Sequence, residues 1–267
     1  MTFFEKIPWS SWGQVLTLKQ ALAWWQNRQG LPEPPFKDRI VERFFSGLEK
    51  RLSKPANAPA AVSSAVITNT AIRWIKNGTF IDLRNATILL LQYVSLQRIS
   101  AVLSLKVSDI VFEGHDNTKI HFSEIKWDRL KEGKLVTLPR KINSCEIDLR
   151  ELVQTFLQIR ASQSPTLDYL FVPWDRKTKT WSTVDKHLST CSWNCIIKKE
   201  FVTTSSELLG VKVSSHSVRK TATTTLVENG AAYEEVRPLL GHKSAVAVFH
   251  YHKQSAGFQS SLLSKNL

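Results

Sequence analysis

The stretch SSHSVRKTATTTL, residues 214–226, carries the first pattern that constrains the fold. It predicts a helix over residues 215–228, with Ser215 at its start. His216 and Arg219 are three residues apart, so they share one face of the first helical turn. A helix N-terminus already favours an anion, because its free N–H groups and its dipole face outward. The pattern predicts a phosphate site, although H-x-x-R alone is a weak signal.

The stretch LLGHKSAVAVFHYHK, residues 239–253, adds a candidate nucleophile. Gly241 allows a tight turn, and His242 opens the next segment. Tyr251 follows nine residues after His242 and lies between two histidines. A tyrosine on an apolar helix is usually a core residue with a hydrogen-bonded hydroxyl. The flanking histidines are not typical of a core, so Tyr251 is a candidate for chemistry.

The stretch YVSLQRISAVLSLKVSDI, residues 93–110, places Arg98 at a predicted junction between two helices. Its guanidinium stays charged at any working pH and needs a partner when it is buried. Two interpretations stay open from this stretch alone. Arg98 either pairs with a carboxylate in the core or faces an anion.

A basic hairpin is predicted by EIKWDRLKEGKLVTLPR, residues 124–140. It carries Lys126, Lys131 and Lys134 among its basic residues. Such a hairpin is usually a solvated surface, but on a nucleic-acid-binding protein it can reach the backbone or a groove.

The composition is that of a folded protein with a polyanionic partner. Of the 267 residues 42% are hydrophobic, including nine Trp and 13 Phe, which excludes a disordered chain. The net charge is +13. Nucleic acid is the first interpretation of the charge, an anionic membrane surface the second, and a well-solvated face the third. The sequence has no apolar run long enough for a transmembrane helix, and its first residues do not look like a signal peptide.

The three cysteines are too few for a disulfide framework, which favours a reducing compartment. Cys191 and Cys195 are four residues apart on a predicted helix. A zinc site there is the less favoured interpretation, and two half-buried thiols are the favoured one.

The hydrophobic pattern predicts two helices, a linker and a larger helical domain. The first helices cover residues 11–29 and 36–52, with Trp24 and Trp25 on the apolar side of the first. SKPANAPAAV, residues 53–62, is typical of a linker. Further helices are predicted over 64–76, 82–97 (with Asp82 as the cap), 100–105, 148–160, 183–200, 215–228, 232–240 and 244–252, and strands over 109–112, 119–125 and 134–139. The expected fold is mainly α with a small three-stranded antiparallel sheet (α+β).

The order and spacing of these motifs resemble the tyrosine recombinase or phage-type integrase family. The resemblance covers R-I-S followed by L-x-x-S-D-I, a lysine-bearing hairpin ending in V-x-L-P, H-x-x-R, L-G-H and a tyrosine nine residues later, roughly residues 64–255. It implies the catalytic fold of that family over residues 63–267 after a linker at 55–62. Residues 1–54 resemble the last helices of its SAM-like core-binding domain. Within the family, the motifs of this segment most resemble those of the DIRS-type and crypton-like recombinases of eukaryotic elements.

The resemblance also implies roles for single residues. Arg98 and Arg219 clamp the scissile phosphate, and Tyr251 attacks phosphorus to form a 3′-phosphotyrosine. His216 takes part in proton transfer, and His242 holds a phosphate oxygen or positions the tyrosine. Lys126 protonates the leaving 5′ oxygen. Lys131 and Lys134 lie on the same predicted hairpin, so they are alternatives for this role.

This chemistry needs cations rather than a cofactor. The transition state gathers negative charge on the non-bridging oxygens, which two guanidinium forks can bind. A phenol has a pKa of about 10, so Tyr251 needs nearby cations and a proton acceptor. The covalent intermediate keeps the bond energy, so no ATP is expected, and with these cations neither a metal nor a cofactor is expected.

One position departs from the family pattern. The family often has a glutamate three residues after the first arginine, where this chain has Ala101. Its absence predicts that Arg98 is held less firmly or has a substitute partner.

Double-stranded DNA is the expected partner, with a tetramer of this chain on the DNA. The tail SAGFQSSLLSKNL, residues 255–267, either packs on its own domain or docks on a neighbouring subunit. Two alternatives stay open: a type IB topoisomerase-like activity, and a domesticated DNA-binding protein that has lost catalysis. The expected location is the nucleus if the host is eukaryotic, and otherwise the cytoplasm with the nucleoid.

Overall fold

The structure is a computed structural model that describes residues 9–52, 60–123, 133–142, 146–163, 166–175, 178 and 180–241. The described residues form two compact units, one on each side of residues 53–59. The predicted linker therefore lies largely outside the described residues, as do the predicted helix at 244–252 and the tail.

The first unit is a pair of helices, α1 (Trp12–Arg28) and α2 (Arg39–Leu52). Its small core contains Val15, Phe45 and Leu48. Trp24 and Trp25, which the sequence places on the apolar side of this helix, are 62% and 49% exposed and lie outside that core. The guanidinium of Arg28 lies over the Trp24 ring at 5.3 Å and covers part of that exposed indole.

The second unit begins with three consecutive helices, α3 (Ser64–Asn77), α4 (Phe80–Ser95) and α5 (Ile99–Leu103). Thr79, not Asp82, is the N-cap of α4, because the Thr79 hydroxyl oxygen accepts the Asp82 N–H at 3.2 Å. The predicted cap is therefore wrong by one helical turn. α4 also ends at Ser95 rather than at residue 97, since Leu96 adopts a left-handed backbone with φ of 56°.

α4 is the central helix of this unit. It packs against α3, and it also packs against α6 (Leu149–Gln163) and α8 (Ser215–Glu228). Most side chains of α4 are buried, on every face of the helix, as expected for a helix with neighbours around its whole circumference.

The predicted three-stranded antiparallel sheet is present. Its strands are β1 (Ile110–Glu113), β2 (Asn117–Phe122) and β3 (Lys134–Leu138), with β2 in the middle. Alternate residues of β2 are buried, so one face of the sheet packs on the core. Two short antiparallel ribbons were not predicted, β4 (Lys141–Ile142) with β5 (Ile147–Asp148) and β6 (Trp174–Asp175) with β7 (Thr180–Trp181).

α7 (Thr190–Thr204) corrects the predicted helix at 183–200. Residues 183–189 are not helical, because the backbone of Leu188 pairs with Phe171 and the Asp185 carboxylate accepts the Tyr169 N–H. Ser189 then caps α7.

The orientation of α7 also determines whether the two cysteines are buried or exposed. Its buried face is formed by Trp193, Ile197 and Phe201, which recur every four residues. Cys191 and Cys195 lie off that face and are exposed, so the prediction of half-buried thiols is wrong.

The described part of the chain ends with α8 and α9 (Tyr233–Leu240), followed by Gly241 in a left-handed conformation. No helix within the described ranges has the length and apolar character needed to cross a membrane. The architecture confirms the predicted fold class, mainly α with a small antiparallel sheet.

Candidate active site

The start of α8 is built by its own serines. Ser214 is the N-cap, and its hydroxyl oxygen accepts the His216 N–H at 3.3 Å. In return the Ser217 hydroxyl oxygen accepts the Ser214 N–H at 3.2 Å. The helix is thus capped one residue earlier than predicted. His216 and Arg219 both lie in its first turns, as their spacing predicted.

Arg219 is a buried cation. It is only 2% exposed, and its Nη2 donates to the backbone oxygen of Leu240 at 2.5 Å. Its charge therefore lies where protein replaces water, and a charge in such a place acts more strongly on a bound anion than it does in water.

His216 links the two predicted arginines electrostatically. His216 is an exposed residue, but its imidazole ring is partly buried, and this burial lowers the ring's pKa below the ordinary value of 6.5. The positive charges of Arg219 and Arg98 lower the pKa further. His216 therefore lies near both guanidinium groups, and the surroundings favour its neutral form, which can accept a proton.

Arg98 enters the site from the junction between α4 and α5. It is the N-cap of α5 and is half-buried, directly after the left-handed Leu96 and the buried Gln97. Over the described ranges, its side chain forms no hydrogen bond or ion pair with another residue. The core-carboxylate interpretation of Arg98 thus has no support in that part of the chain.

Ala101 does not leave a gap near Arg98. It is 4% exposed and packs in the main core, and its N–H donates to the Arg98 backbone oxygen at 3.0 Å. A substitute carboxylate for Arg98 is not found among the residues that the structure describes. Arg219, in contrast, donates to a backbone oxygen and lies near a lysine.

That lysine is Lys134, at the start of β3. Its Nζ donates to the backbone oxygens of Pro238 and Leu239 at 2.7 and 2.8 Å. Burial lowers its pKa to about 8, and the nearby charge of Arg219 contributes to the shift. Lys134 was one of three hairpin lysines in the sequence, and no local signal distinguished it from the others.

The structure thus brings together Arg98, His216, Arg219 and Lys134. The other predicted site residues, Lys126, His242 and Tyr251, lie outside the described residues, so their roles stay predictions. Within the described ranges, no group of three or more His, Cys, Asp or Glu could hold a metal ion.

Comparison with known proteins identifies the family. The sequence model of the phage integrase family matches residues 68–257, most of the chain. The chain belongs to the phage integrase family. This confirms the family predicted from the motifs, while the DIRS-type or crypton-like subfamily stays a prediction.

One curated relative of this integrase-family chain is tyrosine recombinase XerA of Pyrococcus furiosus. The two are 28% identical over 174 residues, 65% of this chain and 51% of the relative. The chain spans about half the length of the curated relative that it matches.

Solved structures share the fold of this phage integrase family member. The XerA recombinase crystal structure is 18% identical, with a TM-score of 0.56 and coverage of 99% of this chain and 86% of that one. XerH recombinase, in a post-cleavage complex with a palindromic difH substrate, is 15% identical, with a TM-score of 0.59 over 93% and 71%. The Tn1549 transposon integrase, in complex with circular intermediate DNA, is 14% identical, with a TM-score of 0.58 over 96% and 80%. At these identities the likeness establishes the tyrosine recombinase fold.

Proposed function

We propose that this chain is a site-specific recombinase that cleaves and rejoins double-stranded DNA through a covalent 3′-phosphotyrosine on Tyr251. The observation that carries the proposal is that His216, at the start of a capped helix, feels the charges of both Arg98 and Arg219. Three groups from two separate elements therefore lie within electrostatic reach of one another, an arrangement that suits the charge of one phosphate. The net charge of +13 supports a polyanionic substrate.

The reaction exchanges one phosphodiester for another. The Tyr251 hydroxyl oxygen attacks phosphorus, the bond from phosphorus to the 5′ oxygen breaks, and the phosphate remains on the tyrosine. The phenol proton passes to His216, whose lowered pKa keeps its ring neutral and able to accept it. Lys126 donates a proton to the leaving 5′ oxygen. Attack by a second 5′ hydroxyl reverses these steps, so strand joining needs no ATP.

The two arginines have separate tasks in this scheme. Arg219 is fixed by burial and by its bond to Leu240, so it presents a rigid charge to one non-bridging oxygen. Arg98 has no hydrogen bond to the described residues and is free to orient its fork on the phosphate when DNA binds. Both contacts strengthen as charge develops on the phosphate oxygens.

The decisive experiment traps the covalent intermediate. A pool of nicked duplexes with a randomised segment is incubated with the protein, and adducts that survive denaturation and EDTA are recovered and sequenced. Tyr251→Phe should abolish the adduct, whereas Tyr233→Phe, which changes a tyrosine at the start of α9, should retain it. An adduct that persists in the Tyr251 variant overturns the assignment.

The same DNA pool distinguishes the two alternatives. A type IB topoisomerase relaxes supercoiled plasmid but does not join strands between two recovered sites. A DNA-binding protein without catalysis gives salt-sensitive binding, because phosphate contacts release counterions, but it gives no adduct. Strand exchange between two sites is the result expected of a recombinase.

A chemically modified DNA substrate can identify the residue that protonates the leaving 5′ oxygen. A duplex with sulfur in place of the bridging 5′ oxygen has a leaving group that needs no proton. If Lys126 is the acid, Lys126→Ala is slow on the oxygen substrate and close to wild type on the sulfur substrate. If Lys134→Ala shows that rescue instead, the acid is Lys134.

An exchanged tail is proposed for the oligomer. A groove of about 430 Å³ next to the site is mainly apolar. Its lining includes Tyr93, Val94, Leu96, Ile142, Leu226 and Leu239. Phe258, Leu262 and Leu263 of a second copy have the apolar side chains that such a groove accepts.

Truncation of the tail tests this assembly. Deletion of residues 257–267 should abolish the assembly of several copies on DNA, and Leu226→Asp in the groove should have the same effect. The truncated chain should keep the thermal stability of the full chain, whereas Leu226→Asp also removes a partly buried apolar contact with the core. A truncated chain that is destabilised but still assembles indicates a tail packed on its own domain.

A further inference from the structure

The C-terminal end of α9 is held by side chains from three other parts of the fold. Lys134 Nζ donates to the Pro238 and Leu239 oxygens at 2.7 and 2.8 Å. Gln97 Nε2 donates to the Leu239 oxygen at 2.8 Å, and Arg219 Nη2 donates to the Leu240 oxygen at 2.5 Å. The last carbonyls of a helix have no partner within the helix and carry partial negative charge, so they favour such donors.

Each of these donors is tied to the candidate active site. Arg219 is one of the two predicted phosphate-binding arginines, and Gln97 directly precedes the other, Arg98. Lys134 lies close enough to Arg219 for that charge to influence its pKa. The held carbonyls come immediately before Gly241 and His242 in the chain. One helix end therefore connects Arg219, and Gln97 next to Arg98, to the segment that carries His242 and Tyr251.

We propose that Lys134 and Gln97 are positioning residues that fix the end of α9 and thereby set where the segment with His242 and Tyr251 begins. This inference rests on the proposed role of Tyr251. A nucleophile must be held within a fraction of an ångström of its line of attack, so displacement of its starting point slows the reaction.

The hydrogen bonds of Gln97 are those expected of a residue that fixes the end of α9. It is 3% exposed, and its amide nitrogen donates to the Ser95 and Leu239 backbone oxygens at 3.1 and 2.8 Å. Both amide hydrogens are therefore used. Gln97→Glu keeps the size of the side chain but replaces a donor by an acceptor against these two oxygens.

Lys134 is suited to the task in either protonation state. A neutral amine still has two N–H groups, and two backbone oxygens are within reach. An arginine at this position also has several donors, so Lys134→Arg is the variant expected to restore the contact. Lys134→Met keeps the apolar stem and removes every donor.

The experiment separates positioning from DNA binding and from stability. The probe is a nicked duplex recovered from the covalent pool, and the cleavage rate is measured at saturating protein alongside the Kd for DNA. Lys134→Met and Gln97→Glu should slow cleavage by about tenfold to a hundredfold, the scale expected for a misplaced reacting group. The Kd should change little, and Lys134→Arg should recover most of the rate.

A matched control comes from the neighbouring strand. Lys119 on β2 forms an ion pair with Glu113 at 2.6 Å, and within the described residues no hydrogen bond or ion pair joins it to α9. Lys119→Met removes the same charge from the same sheet and should leave the cleavage rate unchanged. Equal losses in the two lysine variants indicate a general effect of charge and overturn the proposal.

Hydrogen–deuterium exchange gives a readout that does not depend on catalysis. Amides of the peptide over residues 233–241 should exchange faster in Lys134→Met than in wild type or Lys119→Met, because the last turn of α9 has lost its cap. Faster exchange without slower cleavage overturns the positioning role. Absence of any adduct from wild-type protein overturns the proposed function itself, and the inference that rests on it.

Discussion

The guanidinium of Arg219 is bonded to the backbone oxygen of Leu240, so the buried cation of the candidate site is also a structural support for the end of α9. Arg98 has no such bond within the described residues. The sequence predicts the same role for both arginines, but of the two only Arg219 also supports the fold within the described residues.

Replacement of each arginine by alanine should expose this difference. Arg219→Ala should lower the free energy of unfolding by about 3 kcal/mol, because a buried side chain and its charged hydrogen bond are lost. Arg98→Ala should change it by less than about 1 kcal/mol, as is usual for a half-exposed side chain without a bonded partner. Denaturant unfolding measures both, and equal losses contradict the assignment of a structural role to Arg219 alone.

Removal of the Arg98 charge should raise the pKa of His216. Burial lowers this pKa first, and the charges of Arg219 and Arg98 lower it further, so Arg98→Met favours the protonated imidazole. Arg98→Lys keeps the charge and should keep the pKa low. NMR titration of the His216 ring follows the change. A pKa that does not move in Arg98→Met shows that the two side chains are not neighbours.

The lowered pKa of Lys134 should make stability depend on pH in the alkaline range. In the folded protein its pKa is about 8, against the ordinary value of 10.5. Between these values the unfolded chain binds a proton that the folded chain does not, so the free energy of unfolding rises with pH.

Lys134→Met isolates this contribution. Lys220, whose pKa burial also lowers, is present in both proteins and cancels from the comparison. Wild type should gain stability relative to Lys134→Met as the pH rises from about 8 to about 10.5. Urea unfolding at both ends of this range measures the difference. A difference that is constant with pH contradicts the burial of Lys134.

Gly133 should be required for the correct start of β3. Its φ is +71°, and a Cβ there would lie 2.8 Å from the Phe122 backbone oxygen and 2.6 Å from the His121 ring. Gly133→Ala should therefore lower the free energy of unfolding by about 2–3 kcal/mol through strain and a clash with main chain. It should also disturb the adjacent Lys134 and slow cleavage.

Gly114 provides the matched control. Its φ of +57° is also left-handed, but no atom lies within 4 Å of an added Cβ. Gly114→Ala should cost about 1 kcal/mol from backbone strain alone. Thermal unfolding of the two variants compares them directly, and equal costs show that the clash at Gly133 is relieved by movement of β3.

Several local features could be predicted because they depend on residues close in the chain. The helix that carries His216 and Arg219 begins where the serines before it can cap it. The sheet follows from three runs of alternating residues separated by polar turns. One error was local: Thr79 rather than Asp82 caps α4, although both residue types can cap a helix. The error at residues 183–189 was not local, because these residues pair with Tyr169 and Phe171.

The sequence by itself determined the family, the fold class and the residues from which a site could be built, because motif order and helical spacing are properties of the chain. Only the tertiary structure decided that Gln97, Lys134 and Arg219 meet at one helix end. Gln97 is 142 residues from its partner Leu239, and Lys134 is 105 residues from it. A hydrogen-bond donor has no preference for a particular distant carbonyl until the core has packed. The supports of the site therefore arise from the fold, while its predicted reactive groups are visible in the sequence.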